Sequence, residues 1–121
     1  LSMKHPVPTV LLLLVFVGSG AAKLASLEYE LVAFARWGYP LWAMYLIGGV
    51  EVLGGLLLLW PRVTSLVATG LGCFMVGAIA THVVHAEWPM TGVATAIMAL
   101  GLWRGWLGRE EVRALLAARG H

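Results

Sequence analysis

Four long apolar runs alternate with short polar or proline-bearing breaks, and this pattern predicts helices of membrane-crossing length at about 6–24, 40–60, 63–86 and 90–106. At ~1.5 Å rise per residue, a run of about twenty residues covers the ~30 Å hydrocarbon core of a bilayer. Pro6, Pro40, Pro61 and Pro89 stand at or just before the starts of these runs, where a missing backbone N–H is tolerated. Between the first two runs, residues 25–39 set Glu28, Glu30 and Arg36 against Leu27, Leu31, Val32 and Phe34 at three- and four-residue spacings. That is the pattern of a short amphipathic helix lying at an interface. From Gly108 the tail is again amphipathic, with Arg109, Arg113 and Arg119, and predicts a surface helix over about 108–119. The expected fold is all-α: a four-helix transmembrane bundle with a short interfacial helix in the first outer loop and a short amphipathic C-terminal helix. A single transmembrane domain over 1–121 accounts for the length.

Composition points the same way, since 60% apolar and 12% charged residues lie outside the range of soluble globular chains. The net charge of +2 is spread among apolar runs rather than gathered in a stripe, which excludes nucleic acid as a partner. Cys73 is the single cysteine, so the chain makes no internal disulfide or dithiol pair; its simplest reading is a small buried apolar residue. Four crossings put both termini on one side. Lys4, Arg62, Arg104, Arg109, Arg113 and Arg119 fall on that side, against Lys23 and Arg36 opposite. The positive-inside rule then predicts cytoplasmic termini in a bacterial-type inner membrane. Trp60, Trp103 and Trp106 form an inner aromatic belt, and Trp37, Trp42 and Trp88 an outer one. Met3 is the plausible start, and Leu1 and Ser2 are set aside from the fold. Lys4, the short run after it and the small residues to Ala22 also fit a signal peptide, but the apolar pattern continues to Leu24 and Leu27 and favours a first span.

Glu51 sits at the middle of the second run, about 16 Å below its outer end. An ionised carboxylate at that depth costs at least ~2.5–3.5 kcal/mol, so it must be paired, protonated or faced with protein or water. Gly48, Val52, Gly54 and Gly55 lie one turn away and let a neighbouring backbone approach, which directs the acid into the bundle. The competing reading is a packing residue that fixes helix register. Lys23, closing the first run, and His82, closing the third, fall on the same outer side, so Glu51, Lys23 and His82 are the candidate catalytic groups. For Lys23 the competing reading is a snorkelling lysine. His85, three residues from His82, shares its helical face and is a ligand-binding or proton-relay candidate with it, the competing reading being an interfacial side chain bonded to water or headgroups. Trp42 and Tyr45, above Glu51, are candidates for stacking or hydrogen bonding to a ligand, with Gly48 and Gly55 leaving room for a flat ring. A metal needs a third ligand from Glu51, Glu87 or another subunit, and haem lacks a facing partner, so no metal site is expected.

SGAAKL (Ser19 to Leu24), FARWGYP (Phe34 to Pro40), GGVEVLGGLLLL (Gly48 to Leu59), the Pro61–Arg62 turn and the Thr81–His82 pair together resemble the DoxX-like family of small bacterial four-helix membrane proteins. The resemblance runs from about Val10 to Trp106. Relatives of that kind include a membrane subunit of thiosulfate:quinone oxidoreductase and membrane partners of oxidative-stress complexes. The resemblance therefore implies quinone or redox chemistry, with quinone as the cofactor, a membrane redox partner or self-association, and Lys23, Glu51 and His82 as the matching polar positions; Arg36 is an outer-loop candidate. The unpaired Cys73 departs from any thiol-based version of that chemistry. Two other readings stand beside it: a non-catalytic membrane binding, transport or scaffold protein, and an acid-base isomerase or cyclase acting on a lipid-like substrate.

Overall fold

The computed structural model describes residues 4–119; the start at Met3 and the status of Leu1 and Ser2 lie outside them. It is all-α. The helices are α1 (Pro6–Leu24), α2 (Glu28–Trp37), α3 (Leu41–Leu57), α4 (Thr64–Val84), α5 (Trp88–Leu107) and α6 (Arg109–Arg119). The first expected span is matched at both ends, and the 25–39 segment forms the short helix α2. The second ends at Leu57 rather than 60, because Leu58, Leu59 and Trp60 tighten into bonds to residues three back before Pro61.

Three helix ends close in the same way. After α1, Ser26 takes φ 56°, with its N–H bonded to Lys23 O and that of Leu27 to Ala22 O. After α2, Gly38 takes φ 81° and Tyr39 N–H reaches Phe34 O. After α4, Ala86 takes φ 55° and Glu87 N–H reaches His82 O. Each closure satisfies orphan carbonyls of the last turn and reverses the chain abruptly. Only Gly38 does so without the steric cost of a Cβ in the left-handed region.

The bundle is made of two close pairs, α1 with α3 and α4 with α5, and glycine sets both approaches. A Cβ on Gly20 would meet Gly48 O at 2.6 Å, and one on Gly48 would meet the Lys23 Cβ at 2.8 Å. Gly101 stands in the same relation to Ala68 O and Gly72. The Gly101–Gly105 spacing is thus used inside the chain, between α4 and α5. Leu12, Phe16, Leu58, Ala68, Leu71, Met75 and Ala94 fill the core between the pairs. Leu14, Leu46, Leu53, Val76, Val84 and Trp88 are largely exposed on the outside. Cys73 is also exposed, which corrects the reading of it as a buried residue: Leu71, Gly72 and Met75 take the inward positions of α4.

α1 and α4 are long and apolar enough to cross a membrane. α3 is apolar but only 17 residues long, and α5, which carries Trp88, Pro89, Thr91 and Arg104, falls short in apolarity.

Candidate functional site

Polar side chains gather at both ends of the bundle. At one end the Gly20–Gly48 approach brings Lys23 of α1 onto Glu51 of α3. Lys23 Nζ lies 3.0 Å from Glu51 Oε1, donates to Ser19 Oγ at 2.7 Å and lies 3.4 Å from Glu30 Oε1 of α2. Ser19 Oγ in turn donates to Glu51 Oε1 at 3.2 Å. Lys23 and Glu51 are 8% and 6% exposed, so this is a buried, shared network rather than a snorkelling lysine.

Beside it stands a second group organised on Glu87. Its Oε1 lies 2.8 Å from His82 Nδ1, and Trp37 Nε1 donates to both carboxylate oxygens at 3.0 and 3.2 Å. Arg36 approaches Oε2 through Nε at 2.8 Å and Nη2 at 2.5 Å. These donors, His82 first and then Arg36 and Trp37, outweigh desolvation and lower the Glu87 carboxyl to about 2 from an ordinary 4.5. Tyr39 and Thr81 share a hydroxyl hydrogen bond of 2.8 Å close by.

Both groups line one cavity of about 720 Å³. Its apolar walls come from Phe34, Ile47, Phe74, Met75, Val93 and Ile97; Ser19, Lys23, Glu30, Glu51, Arg36, Trp37, His82 and Glu87 supply its polar surface. The volume lies within the ~300–1,000 Å³ of small-molecule sites, and the mix of apolar walls with a few converging polar groups is their usual chemistry.

Of the residues expected at a site, Lys23, Glu51, His82 and Arg36 line this cavity together. Trp42, Tyr45, Gly48, Gly55 and His85 are not among its lining residues. Nine residues separate Trp42 from Glu51, which is about half a turn out of phase on a helix, and Trp42 is 67% exposed. Tyr45 is about a third of a turn off and bonds instead to Ser26 Oγ at 2.5 Å. Gly48 and Gly55 face α1, one against Lys23 and Gly20, the other against Phe16 and Val17. His85 Nδ1 bonds to Thr81 O at 2.8 Å, within its own helix end. Among the described residues no three His, Cys, Asp or Glu side chains converge as a metal-binding set.

Sequence reasoning passed over Ser19 and Trp37 as site residues, and weighed Glu87 only as a metal ligand rather than as the partner of His82. The Ser19–Lys23 spacing of four was a legible sign, since it puts both on one helical face. It also passed over the opposite end. There Arg104, 1% exposed, donates from Nε to Thr9 Oγ1 at 2.7 Å and from Nη1 to Ser65 Oγ at 2.9 Å, with Glu111 Oε1 3.6 Å from Nη2. Ser65 Oγ completes the loop by donating to Glu111 Oε2 at 2.8 Å, which ties α6 to the bundle.

The fold and cavity define a small helical bundle with an apolar exterior and an amphiphilic chamber at one end. Residues 7–104 match the DoxX-like family, and the chain belongs to that family of small membrane proteins. Comparison with curated proteins and with solved structures finds no match for this chain.

Proposed function

We propose that this protein is a quinone-linked, redox-associated membrane subunit that binds an apolar ring in the cavity beside Glu51. The observation that carries the reading is the single cavity with apolar walls and two separate hydrogen-bonding groups, Lys23–Glu51–Ser19 and His82–Glu87. A quinone has that division, an apolar ring and tail with an oxygen at either side. When bound it supplies two-electron chemistry coupled to proton uptake, the electrons coming from a membrane redox partner. The chain's own part is to seat the ring on Phe74, Met75 and Ile97, to present the Lys23 ammonium to one oxygen, and to hold protons at the Glu51 carboxyl and His82 imidazole. Family membership favours the membrane setting. In this reading α1, α3, α4 and α5 all cross the bilayer, supported by the outward Leu46, Leu53 and Leu56 of the short α3 and Leu102 of the less apolar α5. Both termini then share the cytoplasmic face of a bacterial inner membrane.

A non-catalytic carrier is the second reading. Every fully buried side-chain nitrogen and oxygen among the described residues already has a partner, so those atoms are satisfied without a ligand. Titration of the detergent-solubilised protein with a short-chain quinone, read by tryptophan quenching and by heat of binding, tests the first reading. Saturable binding that weakens at least tenfold in Glu51→Gln supports it; no saturable binding to the wild type overturns it. Saturable binding of non-redox lipids of similar shape, with quinone no better, moves the assignment to the carrier.

A further inference from the structure

The loop after α4 does more than turn the chain. Ala86 in the left-handed region closes the helix, and Glu87 N–H bonds to His82 O at 2.8 Å, which turns the Glu87 side chain back onto His82. The His82 ring is held from two directions: Nδ1 lies 2.8 Å from Glu87 Oε1, and the Trp37 ring stands edge-on at 5.5 Å and 79°. Glu87 is itself held by Trp37 and by the Arg36 fork of α2. A carboxylate only accepts hydrogen bonds, so the hydrogen of the neutral imidazole sits on Nδ1 and the lone pair on Nε2. His82 lines the cavity, and no hydrogen bond to Nε2 occurs among the described residues.

We infer that Glu87, backed by Arg36 and Trp37, is a positioning residue that fixes the His82 tautomer and leaves Nε2 as the proton acceptor for a hydroxyl-bearing ring in the cavity. The inference rests on the ligand role proposed for that cavity and assigns the ligand class at this end: a hydroquinone or phenol hydroxyl. In the proton step the ligand O–H bond breaks and an Nε2–H bond forms, while the bonding electron pair stays on the ligand oxygen. The total charge is unchanged, and the imidazolium formed lies against the Glu87 carboxylate, with Arg36 and Trp37 keeping that carboxylate in place. Lys23 and Glu51 belong to the other polar group of the cavity and make no hydrogen bond or ion pair with the His82 ring.

The test is nitrogen NMR of the full chain labelled with 15N-histidine in lipid nanodiscs, with and without a short-chain hydroquinone. The wild type is expected to hold His82 with hydrogen on Nδ1 and a bare Nε2. Glu87→Gln, whose amide can donate to Nδ1, is expected to move the hydrogen to Nε2 and to weaken hydroquinone binding about tenfold, the size of one lost charge-assisted hydrogen bond. Glu87→Asp should restore part of the original tautomer. A wild-type His82 with its hydrogen on Nε2 overturns the inference, and this needs no variant to fold. An unchanged tautomer in folded Glu87→Gln overturns it too. A tautomer shift as expected, with no hydroquinone bound by the wild type, upholds the positioning role and overturns the quinone reading instead.

Discussion

Replacing Lys23 by methionine removes the one ammonium within ion-pair distance of Glu51 among the described residues, and the consequence can be sized from the geometry. Unit charges 3.0 Å apart attract by roughly 5–6 kcal/mol at an effective dielectric of about 20. Much of this is offset by the cost of burying both ions, so the pair itself contributes little net stability. Removing one partner is different, because the other is left buried and uncompensated, at a cost of ~3–5 kcal/mol. Ser19 still donates to Glu51 in the variant, which argues for the lower end, about 3 kcal/mol. The double variant Lys23→Met with Glu51→Gln removes both charges at similar shape, and should be more stable than the sum of the single effects by about 2 kcal/mol. The assay is reversible unfolding in mixed micelles by added dodecyl sulfate, followed by tryptophan fluorescence, on the wild type, both single variants and the double. If the single effects add to within about 0.5 kcal/mol, the buried ion pair is not coupled and the reasoning fails.

Three further outcomes are expected. The Glu87 carboxyl at about 2, below its ordinary 4.5, contributes stability that is complete above about pH 4.5 and is lost as pH falls toward 2; an acid unfolding series should show this loss, and Glu87→Gln should flatten the curve across that window. Gly20→Val places a side chain where a Cβ already meets Gly48 O at 2.6 Å, so α1 and α3 must separate, at a cost of ~1–3 kcal/mol in the same micelle assay; an unchanged midpoint would count against the close approach. Glu111→Ala cuts the bonds from Ser65 and Arg104 that hold α6, and limited trypsin digestion should then cleave after Arg109 and Arg113 several-fold faster than in the wild type, whereas equal rates would show that α6 is held by other contacts.

The helices were legible because their signals are local. The apolar runs, Pro40, Pro61, Pro89 and the Gly38 turn mark the boundaries within a few residues, and the amphipathic spacing of residues 25–39 announces α2. Glu51 and Lys23 stood out because a charge inside an apolar run has to be answered by something, and each answers the other. The partners of Arg104 were hidden by distance in sequence: Thr9 and Ser65 lie 95 and 39 residues away on two other helices, so nothing local separates this arginine from an interfacial one. Glu87 was hidden differently. Its contact with His82 depends on a left-handed residue at position 86, and alanine there gives none of the warning that a glycine would. For Trp42 and Tyr45 nearness along the chain to Glu51 differs from phase around the helix, which sets both out of line with that acid.

The central claim is a cavity that holds an apolar ring against Glu51, and its most direct test is native mass spectrometry with lipid extraction on the wild type and Glu51→Gln, purified gently in one detergent. The account predicts a quinone retained at up to one per chain by the wild type and lost from the folded variant. Wild-type protein that releases no quinone and takes none up on reconstitution, or a quinone retained equally by both forms, would contradict it.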